Sequence, residues 1–216
     1  MIESKPWNWD EVDDAYWLRP AEDVRILLED WKWKGEDRKR LLDLGCGIGR
    51  HALLFARAGF EVTGFDLSDA GLSRLRQLAA AEGLNVRTAH GDLLELPFPD
   101  KSFDFVLAYR SIYHCSFQGL ADALGEARRV LCGGGGFFAN FLSQESLYYR
   151  GGEGLTDDPW VRMKTEEGGA VLPHCYLDEK GLLSLLSAFA IHSLRLDPEP
   201  AERTGSRYYT VLATAR

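Results

Sequence analysis

The sequence predicts an α/β fold, a doubly wound, mostly parallel sheet with helices on both faces. Between Arg40 and Leu142 short apolar runs alternate with helix-period segments, the order of parallel strands joined by crossover helices. One run, Phe103-Asp-Phe-Val-Leu-Ala-Tyr109, is apolar almost throughout, as a strand covered on both faces requires. Another, Arg40-Leu-Leu-Asp-Leu44, ends in glycines and opens into a helix-period segment.

Taken in order, the elements begin at Pro20, which suits the first turn of a helix whose stripe is Val24, Leu27, Leu28 and Trp31. After the strand from Arg40 comes a helix from Arg50 to Ala58, which Gly59 closes in the left-handed conformation. Glu61 to Asp66 is a second strand. Ser68 then caps a helix with Leu72, Leu75 and Ala79 on one face and Gly83 as its stop. Asn85 to Ala89 is a third strand and leads into His90-Gly91-Asp92. Past the turn-rich Leu96 to Ser102 lie the strand from Phe103, a helix carrying Leu120, Leu124, Ala127 and Leu131, and the strand Phe137 to Leu142. Gly133 to Gly136 follow a helix and precede a strand, the reverse of a phosphate cradle, and read as a flexible turn. Ser143 to Pro173 has little periodicity and several turn signals, and a connection that long is expected to be functional, here a cover for a substrate. Asp178 caps a helix with Leu182, Leu185, Leu186 and Phe189 at helical spacing, and Ile191 to Leu196 with Tyr208 to Ala213 form a closing hairpin.

Length and composition bound the function. At 216 residues, 45% hydrophobic and 27% charged, the chain is one ordinary globular domain. Its net charge of -8 opposes the phosphate neutralisation that nucleic-acid binding requires, and Arg38-Lys39-Arg40, flanked by Glu36 and Asp37, reads as a solvated turn. Neither a signal peptide nor a bilayer-length apolar run is present, so a cytoplasmic location without membrane contact is expected. Four cysteines, Cys46, Cys115, Cys132 and Cys175, lack any C-x-x-C pair and are expected to be reduced, and no metal site is expected. Of six tryptophans, five (Trp7, Trp9, Trp17, Trp31 and Trp33) fall within the first 33 residues.

The chemistry concentrates in Asp43-Leu-Gly45-Cys-Gly47-Ile-Gly49, between the first strand and its helix. Alternate glycines allow a tight turn and let a ligand pack against the main chain, while the helix start offers outward amides to an anion. The spacing is G-x-G-x-G with Arg50 next, not the G-x-G-x-x-G of the dinucleotide fingerprint. Asp66, about 20 residues past the loop, ends the second strand where a carboxylate reaches ribose hydroxyls. Asp92 ends the third.

In this motif set, over roughly Leu41 to Leu142, the sequence resembles the class I S-adenosylmethionine-dependent methyltransferases. The resemblance implies a Rossmann-like seven-stranded sheet with its last strand antiparallel, and S-adenosylmethionine as cofactor. It implies that the loop with Asp43, Gly45, Cys46, Gly47 and Gly49 cradles the methionine end, that Asp66 binds the ribose, and that Leu67 packs on the adenine. Asp92 and Leu93 would meet the adenine edge, and Tyr109 would border the transferable methyl. An N-terminal arm folds over the cofactor in many such proteins, which makes Arg19 a candidate clamp for the methionine carboxylate and Tyr16 or Trp17 a cover. Arg50 and His51 are placed to meet an acidic neighbour and the cofactor, respectively.

The chain is accordingly read as a single domain: an aromatic arm and helix over 1–39, a cofactor-binding core over 40–142, a substrate-cover insertion over 143–173, and a helix and hairpin over 174–216. The expected function is methyl transfer to a small-molecule acceptor by in-line displacement. Alignment supplies most of the rate, and a general base is required only for an acceptor proton of high pKa. His114 is the first candidate for base or acceptor orienter, followed by Tyr113 and Tyr109, with packing at a helix entry as the other reading of His114. The alternatives are a non-catalytic protein that binds S-adenosylmethionine or S-adenosylhomocysteine, and a nicotinamide-dependent oxidoreductase, which the glycine spacing disfavours.

Overall fold

The computed structural model describes residues 5–11, 14–30, 39–166, 169–198 and 205–216. Trp31 and Trp33 lie outside them, as does Arg38. In chain order the strands are β1 (Arg40–Leu44), β2 (Glu61–Asp66), β3 (Val86–His90), β4 (Phe103–Ala108), β5 (Leu131–Ser143), β6 (Val161–Thr165), β7 (Val171–Leu177), β8 (Phe189–Pro198) and β9 (Arg207–Ala215). The helices are α1 (Asp14–Trp17), α2 (Glu22–Asp30), α3 (Arg50–Arg57), α4 (Asp69–Ala81), α5 (Phe117–Val130), α6 (Leu147–Arg150) and α7 (Glu179–Leu185).

Strands β3, β2, β1, β4 and β5 lie side by side and parallel. Strand β9 runs antiparallel to β5 and pairs with β8. The two-residue period of the central strands decides the layering. Leu41, Phe105 and Leu107 pack with Val24 of α2, Phe55 of α3 and Leu75 of α4 on one face. Leu42, Val106 and Ala108 pack with Leu120 and Leu124 of α5 and Leu182 of α7 on the other. Leu41 and Leu42 are both fully buried, and truncating either to Ala costs roughly 2–5 kcal/mol. Side chains cap helices as the sequence predicts: Ser68 accepts from the Gly71 amide and Asp178 from that of Gly181.

The chain order reverses between β1 and β4, so the crossover helices leave to opposite faces and a crevice opens at the carboxyl ends of these two strands. Everything described below sits in that crevice.

Four local expectations are corrected. Among the described residues the sheet has nine strands, because the segment expected to be an irregular cover folds as the antiparallel pair β6 and β7. Its buried Val161, Leu172, Cys175 and Leu177 drive that folding, and β7 joins the end of β5 through Leu142 and Ser143. Gly133 to Gly136 form the irregular start of β5, where the register shifts between Phe103 and Phe105. A Cβ on Gly135 would lie 2.9 Å from the Cys132 carbonyl, a close backbone approach that glycine permits. Phe189 leaves the helical stripe and opens β8, because α7 stops at Leu185 and Phe189 stacks on Phe137 at 4.8 Å. Arg40 is no solvated turn residue: it opens β1 and holds the Asp104 carboxylate through Nε and Nη2 at 3.0 and 2.9 Å.

Candidate active site

The loop from β1 to α3 is shaped by what lies against it. Gly45 and Gly47 have φ of 75° and 53°, and a Cβ on either would be about 2.2–2.3 Å from Ser111 or from the Trp9 ring. Only glycine meets both conditions. Asp66 at the end of β2 staples the loop: its Oδ2 accepts from the Gly47 amide at 2.7 Å and its Oδ1 from the Ser68 amide at 2.8 Å. A carboxylate has about four acceptor sites, so Asp66 keeps capacity for a ligand beyond these amides. Ser111, just past β4, donates from Oγ to the Leu44 carbonyl at 2.5 Å, tying the ends of β1 and β4 together.

Two adjoining cavities lie over this loop. The smaller is lined by Phe65, Asp66, Leu67, Gly91, Asp92 and Leu93, all from the ends of β2 and β3. The larger, of about 360 Å³, is lined on one side by Asp43, Cys46, Arg50 and Tyr109 and on the other by Tyr113, His174, Tyr176 and Tyr208. Its size falls within the usual range for small-molecule sites. Trp7, Trp9, Gly45, Arg110 and His114 line both, so they mark the junction.

The N-terminal arm roofs the junction. Trp7, Trp9 and Trp17 pack mutually with ring centroids 5.5–5.8 Å apart, and Trp7 meets the His114 ring edge-on at 6.0 Å. The Trp7 carbonyl accepts from Ser68 Oγ at 3.1 Å, which fixes the arm to the cap of α4.

The acceptor-facing wall comes largely from the β6–β7 pair. Glu166 Oε1 lies 2.8 Å from Lys164 Nζ and 2.9 Å from His174 Nε2. Burial pushes the Glu166 carboxyl up, but hydrogen bonds from His174 and Lys164 outweigh it and hold it at about 2. The His174 Nδ1 faces the Leu172 carbonyl at 3.1 Å, so each ring nitrogen has an oxygen within hydrogen-bond distance. The His114 ring stands 4.6 Å from His174, edge to face. Burial, with His174 beside it, lowers the His114 ring to about 3. Tyr113 is hydrogen-bonded to Tyr208, and Tyr109 to Asp23 on α2. His51 is occupied too: its Nε2 accepts from the Ala21 amide at 3.2 Å, which makes it neutral, and burial lowers it well below the ordinary value.

Buried polar atoms without a partner test whether a ligand belongs here, since such atoms are rare in finished interiors. Four of them, Asp43 Oδ2, Trp7 Nε1, Trp9 Nε1 and His114 Nδ1, belong to residues lining the two cavities. Burial raises the Asp43 carboxyl to about 7, against the Ala52 amide and Arg50. The set offers an acidic acceptor, two indole donors and a neutral imidazole acceptor. A ligand with an ammonium, oxygen acceptors and hydroxyls satisfies them, and an amino-acid nucleoside has all three.

Of the residues singled out in the sequence, Asp43, Gly45, Cys46, Asp66, Leu67, Asp92, Leu93, Tyr109, Tyr113 and His114 are brought to the cavities. Gly47 and Gly49 are not: Trp9 covers the first and Leu75 stands behind the second, so they shape the loop without facing a cavity. Arg19 is exposed and lines neither cavity, and the guanidinium reaching the larger cavity from the loop is Arg50. Burial pushes the Cys46 thiol up, consistent with packing in the turn. Arg110, Lys164, Glu166, Tyr176 and Tyr208 were not foreseen. Tertiary folding delivers them, and the alternation of Val161, Met163 and Thr165 ahead of Gly168-Gly169 is only a weak hairpin signal.

Residues 41–135 match the family profile of a methyltransferase domain. A demethylmenaquinone methyltransferase of Thermus thermophilus is 41% identical over 128 residues, 56% of this chain and 52% of the relative. The chain thus spans about half the length of that curated relative. A solved S-adenosylmethionine-dependent methyltransferase structure from Methanosarcina mazei matches with a TM-score of 0.74 at 20% identity, covering 91% of this chain and 98% of that one. A Pyrococcus horikoshii protein matches at 0.70 with 25% identity, covering 92% and 93%.

Proposed function

We propose that the chain, whose residues 41–135 match a methyltransferase domain, is a class I S-adenosylmethionine-dependent methyltransferase that moves the cofactor's methyl group onto a small molecule held in the larger cavity. The observation that carries this reading is the set of unpartnered polar atoms around the junction of the two cavities. The chain is read as one domain, with the arm at residues 5–11 and the β6–β7 pair closing over the core. The acidic net charge supports a non-nucleic-acid substrate, and no helix among the described residues is long and apolar enough to cross a membrane. A cytoplasmic location follows the same reading.

Bound S-adenosylmethionine supplies a methyl group on a sulfonium, already a good leaving group. Asp66 receives the ribose hydroxyls while holding the loop, and Asp92 with Leu93 flanks the adenine. Asp43 Oδ2 takes the ammonium, and the indole N–H groups of Trp7 and Trp9 donate to oxygen. On the other side of the junction, His114 presents the one ring atom among the catalytic candidates that lacks a partner, because Tyr109 and Tyr113 are already hydrogen-bonded. Held at about 3, His114 is a poor proton sink, and it acts by accepting a hydrogen bond at Nδ1 that orients the acceptor. The tryptophan roof and the tyrosine wall exclude water, which leaves proximity and alignment as the main source of rate.

Calorimetric titration with S-adenosylmethionine, S-adenosylhomocysteine and NAD tests the reading. Binding of the first two is expected. A response to NAD alone would overturn it, and tight cofactor binding with no methyl transfer across a metabolite panel would favour a sensor.

A further inference from the structure

Of the unpartnered buried atoms around the two cavities, Asp43 Oδ2 and the indole Nε1 atoms of Trp7 and Trp9 go to S-adenosylmethionine in the reading above. His114 Nδ1 remains for the acceptor. The charged side chains of the larger cavity are matched without it: Lys164 and His174 face Glu166, Arg110 lies in the field of Asp23, and Arg50 stands in that of Asp43, where the cofactor's ammonium and carboxylate complete the balance. This arrangement suits an uncharged acceptor.

What His114 offers depends on which ring nitrogen carries the proton. The loop after β4 runs beside β7, where the Cys175 amide donates to the Tyr113 carbonyl at 2.8 Å and the His114 ring donates to the Pro173 carbonyl. Because Nδ1 has no partner, that bond uses Nε2–H and leaves Nδ1 as a bare lone pair. Neighbouring rings fix its direction, with His174 and Tyr113 at 4.6 Å and Trp7 at 6.0 Å. A buried acceptor atom costs free energy until a donor meets it. A hydroxyl removes that penalty, and a ligand atom without a hydrogen leaves it in place. The wall around the ring is itself made of flat rings, Tyr113 lying tilted by 33° to His174 and by 42° to Tyr208, and an aromatic partner packs best on such a surface.

We propose that the methyl acceptor is an uncharged phenol, selected by donating its hydroxyl to His114 Nδ1, which presupposes the methyltransferase reading. The contact is one of recognition: the hydroxyl keeps its proton, and no bond to it forms or breaks there. A ring lowered to about 3 does not take a phenolic proton. The test saturates the full chain with S-adenosylhomocysteine and titrates phenol, anisole and benzoate by calorimetry at neutral pH. Phenol is expected to bind about tenfold or more tightly than the other two. His114→Phe, which keeps a ring and removes the acceptor atom, should abolish the preference for phenol over anisole, and His114→Asn, which offers an amide oxygen in its place, should restore part of it. Nitrogen NMR of the unaltered, histidine-labelled chain reads the tautomer directly and should show His114 protonated at Nε2 and bare at Nδ1, its signals assigned by their loss in His114→Asn. Equal binding of the three probes, no binding of phenol, tighter binding of benzoate, a preference that survives His114→Phe, or a protonated Nδ1 overturns the assignment. If the unaltered chain binds no S-adenosylhomocysteine, the methyltransferase reading itself falls, and the phenolic acceptor with it.

Discussion

The cofactor side of the site is assembled from the ends of consecutive parallel strands, β1, β2 and β3, whereas the acceptor side is assembled from segments far apart in the chain: the arm at Trp7 to Trp17, the start of α3, the end of β4, the β6–β7 pair and β9. On the first side, backbone geometry does the positioning, and its key contacts run between Asp66, Gly47 and Ser68. On the second, side chains position one another, as in Lys164 with Glu166 and His174, or Tyr113 with Tyr208. A frame set by strand order fixes where a nucleoside goes. A wall made of mutually propped side chains can change its selectivity without disturbing that frame.

If this division holds, the largest effect belongs to Asp66→Ala, which removes the staple of the loop together with the ribose acceptor. Loss of charged hydrogen bonds predicts a drop in S-adenosylhomocysteine affinity of about a hundredfold, roughly 3 kcal/mol, in calorimetry. Unchanged affinity would erase the distinction drawn above.

Next comes Asp43→Asn, with an expected tenfold or greater loss of cofactor affinity above pH 7. The unaltered carboxyl stands at about 7 in the folded chain against an ordinary 3.8. Its folded value is raised, so the stability it contributes is fully present below about pH 4 and is lost as pH rises through about 7. Denaturant unfolding of the ligand-free chain should therefore show Asp43→Asn gaining stability relative to the parent between pH 5 and 8 (roughly, from the same linkage). In the parent, cofactor binding should strengthen over the same interval and release a proton, which calorimetry in buffers of different ionisation enthalpy detects.

His114→Ala should lower kcat about ten- to a hundredfold with cofactor affinity within a few-fold. Because the ring titrates near 3, kcat at saturating substrates should be flat between about pH 5 and 8; a limb near 6.5 would identify a general base instead. The smallest effect is expected from Glu166→Gln on the cofactor. It frees Lys164 and His174, should shift acceptor KM, and should leave S-adenosylhomocysteine affinity within about twofold.

The same division explains what could be read from the sequence. The glycine spacing, the acid at the end of β2 and the caps Ser68 and Asp178 are local signals, each satisfied within a few residues or across one strand pair, and the first two locate the cofactor side. Arg19 and Arg50 have the same chemistry and differ only in tertiary placement, which sequence periodicity does not encode. Phe189 fits a helical stripe, but the Phe137 ring claims it for a strand. The β6–β7 pair has weak period-two patterning, and contacts with β5 and with the Tyr113 carbonyl hold it in place.

The seat of Trp9 on Gly47 and the Trp7 carbonyl on Ser68 bear on timing. Trp7 and Trp9 lie over the junction with Trp17 packed against them, and lifting residues 5–11 would expose roughly 150–250 Å² of aromatic surface per ring to water. If lifting the arm were slower than the displacement at carbon, turnover should slow with solvent viscosity, which stopped-flow measurement at varied viscosity checks. The same indoles provide the readout: tryptophan fluorescence should change when S-adenosylhomocysteine is added, and no change would show that the arm stays in place.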